Sequence, residues 1–194
     1  MQPKKNSLPM FLTYLRLIGS PLVLPFLLVY FLPYNAMWLN TSLATLFFLF
    51  GLTDFFDGYL ARKYNQVTQR GAMLDHVADK FLLYSTLIAL IAAHKLHFIW
   101  AIIWIGREFF IMSIRQIALE NQFSITVSSY GKIKTALQIV CLTWVIINPG
   151  HTYYLYGITW NVIELILLLL ATALSIGSAY NYFMVFMQQF SYKQ

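Results

Sequence analysis

Apolar segments long enough to cross a membrane recur along the whole length of this 194-residue chain. An α-helix needs about 20 mostly apolar residues to span the hydrocarbon core of a bilayer. Because 59% of the residues are hydrophobic and only 10% are charged, an ordinary soluble domain is excluded. We expect six spans, at residues 10–31, 37–60, 72–94, 97–119, 132–148 and 157–187.

No linker, low-complexity segment or internal repeat divides these spans. The predicted fold is therefore all-α, a bundle of six transmembrane helices that forms one domain over residues 1–194. Lys4 and Lys5 precede a short N-terminal segment with Ser7, Leu8 and Pro9, which is expected either to lie along the membrane interface before the first span or to be a simple cytoplasmic flank.

Basic residues predict the orientation, because eight of them fall on one side of the predicted membrane and the other side offers only Lys95. Loops rich in lysine and arginine stay in the cytoplasm, so both chain ends are expected there, with the protein in the inner (cytoplasmic) membrane. The same residues account for much of the net charge of +6, and no nucleic-acid partner is implied. The eight are Lys4, Lys5, Arg62, Lys63, Arg70, Lys132, Lys134 and Lys193.

Four of the seven acidic residues lie between positions 54 and 79, as Asp54, Asp57, Asp75 and Asp79. Residues three or four apart share one face of a helix, so spans two and three would each present a pair of carboxylates. Carboxylates gathered in an apolar setting repel one another and lose solvation, so a cation or a proton must compensate them. The cluster flanks a basic loop, and it predicts a divalent-metal site near the cytoplasmic face.

Small residues accompany the aspartates at the same helical spacing: Gly58 and Ala61 in span two, and Gly71 in span three. Small side chains let a ligand approach the backbone closely. If the small residues served only to pack helices, the aspartates beside them would be unexplained. If the aspartates served only in ion pairs, the regular spacing of the glycines would be unexplained. The whole pattern, DxxDGxxARx8GxxxDxxxD, therefore predicts a pocket for a metal ion and a phosphate group.

This pattern resembles the signature of the CDP-alcohol phosphotransferases, a family of integral membrane enzymes. Further similarity through LTYLR at 12–16, GREFF at 106–110 and GKIKT at 131–135 points to the branch that makes phosphatidylglycerophosphate. The resemblance covers most of the chain and weakens in the last span. It implies that the phosphatidyl group of CDP-diacylglycerol is transferred to the hydroxyl of glycerol 3-phosphate, with release of CMP. Met10 and His76 depart from the usual pattern, and neither departure removes a metal ligand.

The resemblance also implies roles for individual residues. Asp54, Asp57 and Asp75 would bind Mg²⁺ or Mn²⁺, as two ions, and Asp79 would either complete that site or act as general base. The CDP moiety would be bound by Gly58, Ala61, Arg62, Gly71 and Thr13.

Arg107 and Arg115 lie eight residues apart on span four, where an unpaired arginine in lipid would be costly, so both are expected to face the pocket. The dianionic phosphate of glycerol 3-phosphate requires several cations. Arg107, Arg115, Lys132, Lys134 and Arg16 are the predicted acceptor-phosphate group. Glu108 either orients one of the arginines or forms a purely structural pair with it.

Two further patterns concern packing. Ala171, Ser175 and Ala179 recur every four residues in span six, which predicts either close packing within the chain or the seam of a homodimer. The tryptophans, Trp104 among them, are expected to anchor span ends at the membrane interface.

Two alternatives stay open. The same chemistry with another acceptor would make the chain a cardiolipin, phosphatidylserine or phosphatidylinositol-phosphate synthase, although Lys134 favours a phosphomonoester acceptor. A cation or proton transporter would explain the intramembrane carboxylates. It would not explain the ordered glycines, and the far halves of spans one and three contain almost no ionisable residues.

Overall fold

The computed structural model describes residues 22–63, 69–123, 130–149, 154–155 and 158–191. Side chains are described throughout these ranges except at 53–63, 69–79, 130–132, 154–155 and 158.

Helices make up nearly all of the described chain, as the apolar segments predict. A 3-10 helix at Leu32–Tyr34 follows the first α-helix directly. The α-helices are α1 (Leu24–Phe31), α2 (Met37–Lys63), α3 (Gln69–Ala92), α4 (Phe98–Glu120), α5 (Tyr130–Ile147) and α6 (Trp160–Ser191). One feature was not predicted, a minimal antiparallel pairing of β1 (Tyr154–Leu155) with β2 (Ile158–Thr159) just before α6.

The ends of α4 are set by local chemistry. His97 has an extended backbone, and its Nδ1 accepts a hydrogen bond from the N–H of Ile99, which caps the first turn. At the other end the Asn121 side chain donates to the Ile117 carbonyl at 2.8 Å, and Gln122 takes the left-handed conformation that stops a helix. These signals place α4 within one residue of the predicted span.

The described residues form two compact units, and each has its own core. The first unit is drawn from Met1–Leu96 and Leu142–Pro149. In it α1 contacts α2 and α3, and α2 contacts α3. The fully buried side chains in this core are apolar and include Leu28, Phe47, Leu90 and Leu142.

A polar cluster joins three chain segments at one end of the first unit. Lys95 donates from Nζ to Oδ1 of Asn35 at 2.9 Å and to the carbonyl of Asn148 at 2.8 Å. The Asn35 side chain in turn donates to the Pro149 carbonyl at 2.7 Å. Asn35 itself has a φ of 50°, a left-handed conformation that asparagine tolerates better than most residues. Lys95, which was predicted on the side of the membrane opposite the cytoplasm, thus joins the loop at Asn35 to the chain segment at Asn148.

The second unit is drawn from His97–Cys141 and Gly150–Gln194, and in it α4 lies along α6. One cluster of buried residues in this contact includes Ile111 and Ile114 of α4 and Tyr182 and Phe186 of α6. Phe123, just after α4, packs against Phe186 with ring centroids 5.8 Å apart. The α4–α6 contact therefore extends past the end of α4.

In the described part of the chain, α6 is the one helix long and apolar enough to cross a membrane by length and composition. Four shorter apolar helical stretches accompany it, at Leu24–Tyr34, Met37–Leu52, Lys80–Ala92 and Ile133–Ile147. The helical class of the fold is confirmed. The arrangement of six spans and the single domain over residues 1–194 remain predictions.

Candidate active site

The four aspartates lie on two helices that contact each other, Asp54 and Asp57 in α2 and Asp75 and Asp79 in α3. Both segments are helical, so spacings of three and four put each pair on one helix face by position. Their side chains lie outside the described residues. Four carboxylates carried by two neighbouring helices are a donor set that fits a hard divalent cation, which prefers oxygen ligands.

The predicted CDP-binding residues follow the same division. Gly58, Ala61 and Arg62 lie in α2 and Gly71 lies in α3, again with side chains outside the described residues. Thr13 and Arg16 lie outside the described residues altogether. Where side chains are described, no group of three or more His, Cys, Asp or Glu residues is arranged to bind a metal ion.

Arg107 of α4 reaches across to α6 and binds two serines there. Its Nε donates to the Ser175 carbonyl at 3.2 Å, and Nη2 donates to the Ser178 hydroxyl at 2.7 Å. Its Nη1 donates to Oε1 of Glu108 at 2.6 Å. An arginine held from three nitrogens has a fixed guanidinium plane, and this is the property that planar recognition of phosphate requires.

Glu108 connects Arg107 to a third helix. The same Oε1 atom that accepts from Arg107 also accepts from Nζ of Lys134 in α5. Glu108 is 8% exposed and Lys134 5% exposed, so this ion pair is buried. The structure therefore brings together two of the predicted acceptor-site cations, Arg107 and Lys134, around one carboxylate.

Arg115 lies apart from this cluster, and Lys132 cannot be compared with it directly. The Lys132 side chain lies outside the described residues, and helical neighbours two positions apart, such as Lys132 and Lys134, do not share a face. Arg115 lies two turns along α4 from Arg107, about 12 Å at 1.5 Å per residue. Its Nε donates weakly to the Tyr182 hydroxyl at 3.4 Å, and its guanidinium lies 5.9 Å from the centre of the Tyr182 ring.

Two serines of α6 complete the surroundings of Arg107, and sequence reasoning had assigned one of them to packing and overlooked the other. Ser178 accepts from Arg107 and donates to the Ser175 carbonyl at 2.8 Å. The Ser175 hydroxyl is fully buried and has no hydrogen-bond partner among the described residues. Ala171, Ser175 and Ala179 are all buried within the second unit, so this small-residue stripe packs inside the chain. The predicted homodimer is untested.

Trp104 is wrongly predicted as an interfacial anchor. Its side chain is 2% exposed, and its indole Nε1 donates to Oγ1 of Thr172 at 2.8 Å. It lies one turn before Glu108 on the α4 face that meets α6. A tryptophan near a predicted span end looks the same in sequence whether it faces lipid headgroups or a neighbouring helix.

Comparison with known families identifies the class of protein. The sequence profile of the CDP-alcohol phosphatidyltransferase family matches residues 6–177, which is most of the chain. The chain belongs to this family, whose members are membrane-associated enzymes that generally depend on a divalent metal ion.

Three individual relatives within this family share one name. The chain is 37% identical to the CDP-diacylglycerol–glycerol-3-phosphate 3-phosphatidyltransferase of Haemophilus influenzae over 187 residues, covering 93% of this chain and 94% of the relative. It is 34% identical to the Rickettsia felis protein of the same name over 183 residues, covering 92% and 94%. The Escherichia coli K12 protein of that name is 38% identical over 150 residues, covering 74% and 79%.

Proposed function

We propose that this chain transfers the phosphatidyl group of CDP-diacylglycerol to the hydroxyl of glycerol 3-phosphate, producing phosphatidylglycerophosphate and CMP. The names of its relatives support both substrates. The observation that carries the acceptor assignment is the cluster of Arg107 and Lys134 around Glu108, because two cations held side by side suit a dianionic phosphate.

The reaction is a displacement at phosphorus. The acceptor hydroxyl oxygen attacks the phosphorus that carries diacylglycerol, the bond from this phosphorus to CMP breaks, and the hydroxyl proton passes to a base. We assign Asp79 as that base. Asp54, Asp57 and Asp75, with or without Asp79, would hold Mg²⁺ or Mn²⁺, and the ions supply neutralisation of the charge that builds on the departing phosphate.

The remaining residues bind and orient the substrates. Gly58, Ala61, Arg62, Gly71 and Thr13 are assigned to the CDP moiety, where small side chains admit the pyrophosphate close to the backbone. Arg107 and Lys134 are assigned to the acceptor phosphate. Arg115, Lys132 and Arg16 are assigned as further cations along its path of entry.

We propose six membrane spans with both chain ends and the site on the cytoplasmic side of the inner membrane, and a homodimer as the assembly. In this arrangement the membrane lipid surrounds the helices and also supplies the CDP-diacylglycerol substrate. The orientation is testable at the two ends of α4, where Phe98 and Glu120 are exposed. With Cys141 replaced by alanine, a membrane-impermeant maleimide should label Phe98→Cys in intact cells and label Glu120→Cys only after lysis. The reverse pattern would overturn the orientation.

The activity is tested by CMP release from purified protein in detergent with CDP-diacylglycerol and Mg²⁺ or Mn²⁺. Glycerol 3-phosphate is compared with glycerol, serine, inositol phosphate and phosphatidylglycerol. Turnover with glycerol 3-phosphate alone supports the proposal. Turnover with phosphatidylglycerol or serine instead keeps the family chemistry and overturns the acceptor assignment.

A further inference from the structure

The carboxylate of Glu108 contacts two of the predicted acceptor-site cations, Arg107 and Lys134. Arg107 is its sequence neighbour, and helical neighbours point about 100° apart, so their contact requires the arginine side chain to fold along the helix surface. Lys134 arrives from α5, 26 positions later in the chain. Both meet at the single oxygen Oε1.

A buried lysine and a partly buried arginine do not adopt such an arrangement unaided. Like charges in a low-dielectric setting repel strongly, and burying either one unpaired is costly. The Glu108 charge offsets this repulsion and fixes the position of each cationic head. Arg107 has five N–H donors, of which three are used in its contacts with Ser175, Ser178 and Glu108. One N–H remains on each terminal nitrogen beyond these contacts, and an arginine can use two such N–H groups to bind two phosphate oxygens.

We infer that Glu108 is a positioning residue for the acceptor: it holds Arg107 and Lys134 as a preformed pair and thereby sets the preference for a phosphate-bearing alcohol. This inference rests on the proposed function. Glu108 contacts the two cations directly, and in this role it acts on the acceptor through Arg107 and Lys134.

The sign of the effect separates positioning from simple electrostatics. Glu108→Gln keeps an oxygen at the same place and removes the negative charge. If charge alone mattered, the KM for glycerol 3-phosphate would fall, because a negative group would leave the neighbourhood of a dianion. Positioning predicts that this KM rises about tenfold or more, while the KM for CDP-diacylglycerol stays within about twofold.

Four further variants, Lys134→Met alone among them, complete the experiment. Glu120→Gln removes an exposed carboxylate from the end of the same helix and should change neither KM. Glu108→Asp keeps the charge on a shorter side chain and should recover part of the lost affinity. In the double variant Glu108→Gln/Lys134→Met, the Lys134 change should raise the KM for glycerol 3-phosphate much less than it does in the single variant. The reason is that both changes disrupt the same cluster.

The outcomes divide cleanly. A rise in the acceptor KM alone, with non-additivity, supports the inference. A fall in the KM for glycerol 3-phosphate would overturn it, and so would additive effects of the Glu108 and Lys134 changes. A loss of activity that is the same with either substrate varied, and that follows the fraction of folded protein, would also overturn it. If the wild-type protein does not use glycerol 3-phosphate at all, the proposed function fails and takes the inference with it. If the wild type uses it and Glu108→Gln matches the wild type, only the inference fails.

Discussion

The Arg107 guanidinium of α4 donates to the Ser178 hydroxyl of α6 across 2.7 Å, whereas the neighbouring Ser175 hydroxyl, fully buried, has no partner among the described residues. Ser178→Ala should therefore lower the free energy of unfolding by about 1–3 kcal/mol, since it deprives a partly buried charged group of an acceptor. Ser175→Ala removes only an unpaired hydroxyl and should be neutral or slightly stabilising. Thermal midpoints of the two variants in the same detergent check this contrast, and equal losses would contradict it.

Arg107 and Arg115 should respond differently to the same substitution. Arg107→Lys preserves the charge but not the three separate donor directions, so we expect the KM for glycerol 3-phosphate to rise about tenfold or more. Arg115→Lys gives up one long hydrogen bond and a ring contact, and we expect a change of about threefold or less. Steady-state kinetics with the acceptor varied would settle the comparison. A larger effect at Arg115 would place the acceptor phosphate two turns further along α4.

The Trp104 indole depends on one acceptor, Oγ1 of Thr172. Thr172→Val is nearly isosteric and leaves a buried N–H without its partner, so it should cost about 1–3 kcal/mol. For a chain of this size the thermal midpoint would fall by about 2–4 °C for each kcal/mol. Thr45→Val is the matched control, because the exposed Thr45 hydroxyl bonds only to its own helix at the Thr41 carbonyl. A similar fall in the thermal midpoint of both variants would show that the loss does not come from the hydrogen bond between Trp104 and Thr172.

Lys95 should contribute to stability without contributing to catalysis. Lys95→Met removes the ammonium that joins Asn35 to Asn148, and we expect the thermal midpoint to fall by a few degrees. Asp79 lies 13 residues, or about 20 Å of helix, before the end of α3 at Ala92. The KM values for both substrates should therefore stay within about twofold of the wild type. A selective change in one KM would connect this loop cluster to the site.

Removal of divalent metal should abolish turnover, and addition of Mg²⁺ or Mn²⁺ should restore it. The physical reason is that, in the proposed site, a cation would compensate the aspartates carried by α2 and α3 and would neutralise the pyrophosphate. Asp79→Asn should lower kcat by about 10²–10⁴-fold, the usual contribution of a general base. Glu120→Gln serves as the control for loss of a carboxylate. CMP release after chelation and metal titration is the measurement, and full activity without metal would overturn the proposed site.

The sequence predicted the positions of the helices well, but it predicted poorly which side chains of different helices contact each other. Apolar length and flanking charge predicted α4 and α6 to within a few residues, because these signals are local. The contact of Trp104 with Thr172 and that of Arg107 with Ser178 depend on which faces of α4 and α6 meet, and this is decided by packing over the whole pair. The small-residue stripe in α6 indicated close approach of a helix without saying which helix would approach.

The chemical class of the candidate site came from a different kind of signal. Four aspartates with ordered glycines, in a chain with only seven acids, are informative because charge is so scarce elsewhere. The Glu108 contacts were only half predicted: an ion pair with an arginine was considered, while the bridge to Lys134 depends on where α5 packs.

The length of α6 has a mechanical consequence. Its 32 residues rise about 48 Å, some 18 Å more than the hydrocarbon layer it is long enough to cross. A helix with three turns to spare can tilt or slide as the bilayer thickens or thins, without being stretched. Ser175 and Ser178 lie near the middle of this helix, where they hold Arg107. The contacts of Arg107 with Ser175 and Ser178 can therefore keep their geometry while the ends of α6 adjust to differences in membrane thickness.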